Sequence, residues 1–80
     1  MKVTVYSKPS CIQCEMTKMY LDQNKIKFET VDVFETEEAL EKIKSYGFQG
    51  MPVVVIDDNF ENAWVGYNPD RLEELEKGNK

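Results

Sequence analysis

Two cysteines, Cys11 and Cys14, are the residues of this sequence whose type and spacing could do chemistry. They are the only cysteines among 80 residues, and the sequence contains no histidine. Residues three apart on a helical turn lie about 5–6 Å apart, which is within the reach of a disulfide. The segment Cys-Ile-Gln-Cys therefore indicates a dithiol that closes reversibly into a Cys11–Cys14 disulfide.

The sequence gives less support to two other roles of this pair, a structural disulfide and a zinc site. A structural disulfide that closes so short a loop would stabilise the fold by only about 2 kcal/mol, near the bottom of the usual range. A structural zinc site needs four nitrogen or sulfur ligands, and a single chain offers only these two cysteines. Two chains together could supply four thiolates. Redox chemistry is therefore favoured, and we expect neither a metal nor a bound organic cofactor.

The charge of the chain limits its partners. The formal net charge is −5 and the pI is about 4.6, which argues against a nucleic acid or an anionic membrane as partner. Residues 1–27 nevertheless hold five lysines against two acids, a balance of +3, so the remainder carries −8. Lys8, three residues before Cys11, would favour a thiolate there.

The length and the apolar content indicate one small domain. Eighty residues with 41% apolar content can build a single core, so we assign residues 1–80 to one domain. The start of the chain does not resemble a signal peptide, and no run approaches the ~20 apolar residues of a membrane span. We expect a cytoplasmic protein, in which a cysteine pair is more often catalytic or metal-binding than a lasting crosslink.

The segments on either side of the cysteines predict how they are positioned. Residues 2–7 are typical of a strand covered on both faces, and Pro9 predicts a turn that leads into a helix over residues 11–24. Ser10 and Gln13 have capping-box spacing at the start of this helix. The residues that we expect on its inward face form one apolar stripe at helical spacing: Ile12, Met16, Met19 and Tyr20.

The rest of the chain predicts two more helices and three more strands. The predicted elements are an edge strand at 27–33, a helix at 37–46 capped by Thr36 with Leu40, Ile43 and Tyr46 facing inward, strands at 53–56 and 60–65 in a hairpin, and a helix at 69–77 capped by Asn68. The first strand, helix and second strand make a right-handed βαβ unit. The order strand, helix, strand, helix, strand, strand, helix predicts an α/β fold, with a four-stranded mixed sheet and helices on both faces.

This arrangement places Cys11 at the carboxyl end of the first strand and at the mouth of the first helix. There the helix dipole and the free backbone amides favour the anion and lower the pKa of the thiol from its ordinary value near 8.5. We therefore predict that Cys11 is the nucleophile. Cys14 lies one turn deeper and is the resolving cysteine.

Several motifs resemble those of a known family. The Cys11 to Cys14 segment after the first strand and Met51-Pro52 before the third are similar to the thioredoxin superfamily, in its glutaredoxin-sized branch. Gly47-Phe48 before Met51-Pro52-Val53-Val54, together with the Trp-Val-Gly-Tyr-Asn-Pro-Asp run at 64–70, resembles the NrdH-redoxins. Their pattern has Ser or Thr where this chain has Val65, so any hydrogen bond of that hydroxyl is lost here.

The resemblance implies a thioredoxin fold and a dithiol/disulfide oxidoreductase. Such a protein would pass two electrons from the NADPH-dependent flavoenzyme thioredoxin reductase to a class Ib ribonucleotide reductase, and we expect it to be a monomer. Pro52 would be cis and packed against the cysteines, and the Met51 backbone would bond an incoming peptide. The expected substrate- or partner-binding residues are Lys8, Ile12, Gln13, Met51, Pro52, Trp64 and Tyr67. Trp64 and Tyr67 could instead cap the core under the last helix.

Three alternatives stay open. A glutathione-dependent dithiol glutaredoxin typically has Pro-Tyr between its cysteines and a Gly-Gly followed by Asp later in the chain, both of which are missing here, although Lys8 matches a lysine that those enzymes use. A metal-handling module would hold zinc or an iron-sulfur cluster through Cys11 and Cys14 of two chains. A passive adaptor with the same fold would need neither cysteine.

Overall fold

A computed structural model describes residues 2–78 of the chain, which form a sheet with helices packed on it. The elements in chain order are β1 (Val3–Ser7), α1 (Ile12–Gln23), β2 (Glu29–Asp32), α2 (Glu37–Ser45), β3 (Val53–Ile56), β4 (Asn59–Val65) and α3 (Pro69–Gly78). This order and the mixed four-stranded sheet confirm the predicted α/β fold.

The strand order in the sheet is β2-β1-β3-β4. β1 is parallel to β2 and antiparallel to β3, so Val5 pairs with Thr30 on one side and with Val54 on the other. β3 and β4 form the predicted antiparallel hairpin, with a register shift between Val54 and Ile56. β2 is an edge strand, as its polar sequence indicates.

Helices cover both faces of the sheet. Residues from α1 and α3 pack with β1 and β3 on one face: Leu21, Leu72 and Leu75 with Val3, Val5 and Val54. Ile43 of α2 packs on the other face with Val33, Val53, Val55 and Phe60. Because both faces are covered, three consecutive β3 residues, Val53, Val54 and Val55, are fully buried.

The side of α1 that faces the core differs from the prediction. The buried residues of this helix are Cys14, Thr17 and Leu21, which also recur at helical spacing. Ile12, Met16 and Met19 are 78%, 42% and 56% exposed, so the prediction that they face inward is wrong. The Thr17 hydroxyl donates to the Gln13 carbonyl oxygen at 2.9 Å, so burying this polar side chain costs little.

The start of α1 also differs from the prediction. Ser10 has a left-handed backbone with φ of 58°, and the helix begins one residue later with Cys11 as its N-cap. The proposed capping box of Ser10 and Gln13 is therefore wrong. The cap is made by sulfur, because the Cys11 side chain accepts the hydrogen bond that a serine would accept elsewhere.

The caps of the other two helices lie at the predicted residues. Thr36 is the N-cap of α2, although its side chain makes no capping hydrogen bond within the described part of the chain. The Asn68 side-chain oxygen accepts from the Arg71 N–H at 3.2 Å and caps α3.

Tyr46 at the end of α2 differs from the prediction that it faces inward, because it stacks on Phe60 with half of its surface exposed. Within residues 2–78, no helix has the length and apolar content needed to cross a membrane.

Candidate redox site

Cys11 and Cys14 lie at the carboxyl end of β1 and form a disulfide, with their Cα atoms 5.2 Å apart. The turn over residues 8–10 separates the strand from the pair. Cys11 retains 9% of its surface exposed and Cys14 retains 1%. An incoming sulfur can therefore approach Cys11 more readily than Cys14.

The backbone at the helix start bonds directly to the outer sulfur. The Cys14 N–H donates to Cys11 Sγ at 3.2 Å, while the Cys11 carbonyl oxygen accepts from the Glu15 N–H. A hydrogen bond to the charged form of a group favours that form, and the positive end of the helix dipole acts in the same direction. The geometry thus favours a thiolate at Cys11 once the disulfide is reduced.

The loop before β3 lies against the same sulfur. The Met51–Pro52 peptide bond is cis, and the Met51 carbonyl oxygen lies 3.7 Å from Cys11 Sγ. Pro52 is buried, and its carbonyl oxygen accepts from the Gly66 N–H at 2.8 Å. The loop is thereby held between the cysteines and the segment that follows β4.

Gln13 links the cysteine turn to that same segment. Its Oε1 accepts from the Tyr67 N–H at 3.0 Å, and a Cβ on Gly66 would stand 3.1 Å from this oxygen. Gly66 has φ of 88°, a conformation that favours glycine. The residues are more than fifty positions apart, so no local pattern identified this contact, although Gln13 was expected near a partner.

The residues expected to contact partners differ in their exposure. Lys8 is exposed in the turn before the cysteines, and Ile12 projects from the first turn of α1 into solvent. Met51 and Tyr67 are half-buried. These four lie where another molecule can reach them.

Trp64 is placed differently, because it lies in the core beneath α3 with only 7% of its surface exposed. The Arg71 guanidinium carbon stands 4.8 Å from the centre of its ring, a cation–π contact. Val65, where the family pattern carries a hydroxyl, is exposed at the end of β4. Of Trp64 and Tyr67, it is Tyr67 whose side chain a partner can touch.

The cysteine pair has few potential metal ligands around it in the described part of the chain. Among the side chains described from residue 2 to residue 75, no group of three or more His, Cys, Asp or Glu is placed to hold a metal ion. The cysteine pair alone supplies two of the four ligands that a tetrahedral zinc site requires.

Comparisons with known proteins agree with this geometry. The glutaredoxin family profile matches residues 3–61. The chain is 40% identical over 73 residues to the glutaredoxin-like protein NrdH of Lactococcus lactis, covering 91% of this chain and 97% of the relative. It is similar in structure to the NrdH-redoxin of Escherichia coli, described as a glutaredoxin-like protein with a thioredoxin-like activity profile. That likeness has a TM-score of 0.87 and 33% identity, and it covers 94% and 95% of the two chains.

Proposed function

The chain belongs to the glutaredoxin-like NrdH proteins, which are thiol-disulfide oxidoreductases, and on this premise we propose its electron donor and acceptor. The donor is an NADPH-dependent thioredoxin reductase. The acceptors are protein disulfides, foremost those of a class Ib ribonucleotide reductase. We propose that residues 1–80 act as one domain, as a monomer and in the cytoplasm.

The observation that carries the proposed dithiol exchange at Cys11 is the sulfur N-cap of α1. Cys11 Sγ accepts a backbone N–H at the mouth of the helix, whereas Cys14 lies on the buried side of the same turn. Once the disulfide is reduced, the Cys11 sulfur is therefore favoured as an anion and is the more exposed of the two, whereas the Cys14 sulfur is enclosed. This asymmetry supports Cys11 as the nucleophile and Cys14 as the resolving cysteine.

Thiol–disulfide exchange with the substrate proceeds in two nucleophilic attacks. The Cys11 thiolate attacks one sulfur of the substrate disulfide, so that a mixed disulfide forms and the other substrate sulfur leaves as a thiolate. Cys14 then gives up its proton and attacks Cys11 Sγ, which releases the second substrate thiolate. The substrate disulfide has gained two electrons, and with two protons it becomes a dithiol, while the Cys11–Cys14 disulfide has formed.

A second exchange returns the protein to its reduced form. The flavoenzyme takes a hydride from NADPH, and its own dithiol then reduces the Cys11–Cys14 disulfide. NADPH and one proton thus supply the two electrons and two protons that the substrate disulfide received.

We propose that the backbone of Met51 beside cis-Pro52 aligns the partner segment, because the Met51 carbonyl oxygen lies 3.7 Å from Cys11 Sγ.

Reduction by glutathione is the competing assignment, and Lys8 is the observation that favours it. This exposed lysine lies close in sequence to the nucleophile, where its charge could pair with a carboxylate of the tripeptide. After β4, however, the Gly66 N–H is occupied by the Pro52 carbonyl oxygen and the Tyr67 N–H by Gln13. Two backbone donors on that side of the site are thus already used.

The test supplies the oxidised protein with NADPH and thioredoxin reductase in one tube, and with glutathione, glutathione reductase and NADPH in another. A disulfide-bonded protein such as insulin serves as the acceptor in both. We expect NADPH consumption in the first tube. Consumption confined to the second tube would assign the protein to the glutathione-dependent group. A metal-dependent dimer that dissociates on adding a chelator would instead indicate the metal-handling module formed by two chains.

Substitution of each cysteine separates their roles. We expect Cys11→Ser to abolish turnover, whereas Cys14→Ser should retain the first attack and accumulate a covalent complex with the substrate, because nothing resolves the mixed disulfide. Non-reducing electrophoresis and mass spectrometry measure this complex. Equal activity of the two variants would contradict the assigned roles.

A further inference from the structure

The outward side of α1 carries apolar side chains that begin between the two cysteines. Ile12, Met16 and Met19 are all exposed, and their spacing places them along one side of the helix. Single exposed apolar residues are ordinary on a protein surface. A stripe that starts at the reactive disulfide and continues for two turns is not scattered in this way.

The stripe leads into a shallow cavity of about 180 Å³. The cavity is lined by side chains without charge, Met16, Met19, Tyr20, Gln23 and Tyr67, in a protein in which 31% of the residues are charged. Pockets for small-molecule ligands usually measure about 300–1,000 Å³. This cavity is smaller, and its size and neutral lining fit one apolar side chain.

The cavity adjoins the surface around Cys11 that exchange must cover. A partner sulfur has to reach bonding distance of Cys11, so the polypeptide that carries it comes within reach of the adjoining, exposed Ile12. Tyr67 connects the two places, because it lines the cavity while its N–H bonds the Gln13 side chain between the cysteines.

The distance from Cys11 to the cavity indicates how far the apolar side chain lies from the reactive cysteine of the partner. Met16 follows Cys11 by five residues, so at 1.5 Å per residue it lies about 8 Å along the helix. Met19 lies about 12 Å along the helix on the same basis. The methionines are also displaced around the helix from Cys11, which lengthens both paths. An extended polypeptide advances about 3.3 Å per residue, so the separation corresponds to about three or four residues of a bound segment.

We propose that this cavity receives an apolar side chain, of the size of leucine or phenylalanine, located about three residues from the reactive cysteine of the disulfide-bearing partner. The proposal rests on the proposed function, because it concerns partners that exchange with Cys11. The methionines suit this role, since their unbranched and polarisable side chains adapt to different shapes. One cavity can thereby serve partners of different sequence.

The experiment uses two peptides whose single cysteine is activated as a mixed disulfide with thionitrobenzoate. One peptide has leucine three residues from the cysteine and the other has serine at the same place. Cys11 of the pre-reduced protein attacks the peptide sulfur and releases the coloured thionitrobenzoate, and Cys14 then releases the peptide thiol. We expect the second-order rate constant for the leucine peptide to exceed that for the serine peptide by about tenfold.

The variant Met16→Gln keeps the length of the side chain and makes it polar. We expect it to reduce the preference for leucine from about tenfold to about twofold, whereas Met16→Leu retains the preference. Tyr46→Ser removes an aromatic side chain of similar exposure on α2 and serves as the matched control, with the full preference expected.

The outcomes separate this inference from the proposed function. If the two peptides react equally fast with the wild-type protein, exchange is intact and the cavity proposal is wrong. If neither peptide releases thionitrobenzoate, the dithiol function itself fails. Sedimentation of the wild-type chain tests whether a second copy of the chain occupies the cavity. Self-association that Met16→Gln abolishes would assign the cavity to that copy and overturn the proposal.

Discussion

The two sides of α1 differ in burial, and the difference separates residues that pack in the core from residues that another molecule can reach. The inner side carries Cys14, Thr17 and Leu21, all buried, while the outer side carries Met16 and Met19, both exposed. The inner side includes Cys14, which we propose as the resolving cysteine, and the outer side begins beside Cys11, which we propose as the nucleophile. Burial on this helix therefore does not follow hydrophobicity, since a threonine is enclosed and two methionines are not.

The largest effect that this comparison predicts concerns stability and the inner side. Leu21 is fully buried among β1, β3 and α3 residues, so Leu21→Ala should lower the free energy of unfolding by about 2–5 kcal/mol. Urea denaturation of the oxidised protein measures this loss. Leu21→Met, which nearly conserves volume, should cost less than about 1.5 kcal/mol. A loss below about 1 kcal/mol for the alanine variant would contradict the assignment of this side to the core.

A smaller effect is expected at Gln13, which lies in the first turn of α1 and reaches the segment after β4. Gln13→Ala removes the acceptor of the Tyr67 N–H and should lower the free energy of unfolding by about 1 kcal/mol, the usual net contribution of one hydrogen bond. Hydrogen exchange of the Tyr67 amide should become faster.

Gln13→Glu provides the matched control, since its carboxylate can still accept the Tyr67 N–H. We expect slow exchange of this amide to be retained in the glutamate variant. The added negative charge should also raise the pKa of the Cys11 thiol, because a like charge disfavours the thiolate. Unchanged exchange in Gln13→Ala would show that this bond does not hold the two segments together.

Much of the fold could be predicted from the sequence because its signals are local. The four consecutive aliphatic residues of β3, the Asn68-Pro69 start of α3 and the polar β2 each identify their element without knowledge of the others. The position of Cys11 at the mouth of α1 follows from the strand, turn and helix around it. These features depend on neighbours in the chain, which the sequence displays directly.

The parts that sequence could not predict depend on contacts between distant segments. The inner side of α1 is fixed by what the sheet and α3 present to it, and both possible stripes have helical spacing. The sulfur cap of Cys11 directly follows Ser10, whose left-handed backbone is not indicated by the sequence around it. The contact of Gln13 with Tyr67 joins segments that are brought together only by the complete sheet.

The smallest predicted effect concerns the outer side of α1, where a substitution should leave the free energy of unfolding almost unchanged. Met19 is more than half exposed, and glutamine has a similar helix propensity, so Met19→Gln should change the free energy of unfolding by no more than about 0.5 kcal/mol. The same urea measurement used for Leu21→Ala gives this value under identical conditions. A loss of 2 kcal/mol or more would mean that the methionine is packed in the core, as the hydrophobic pattern alone indicates. A negligible loss leaves this side chain free to evolve for contact with partners, because folding then places little constraint on it.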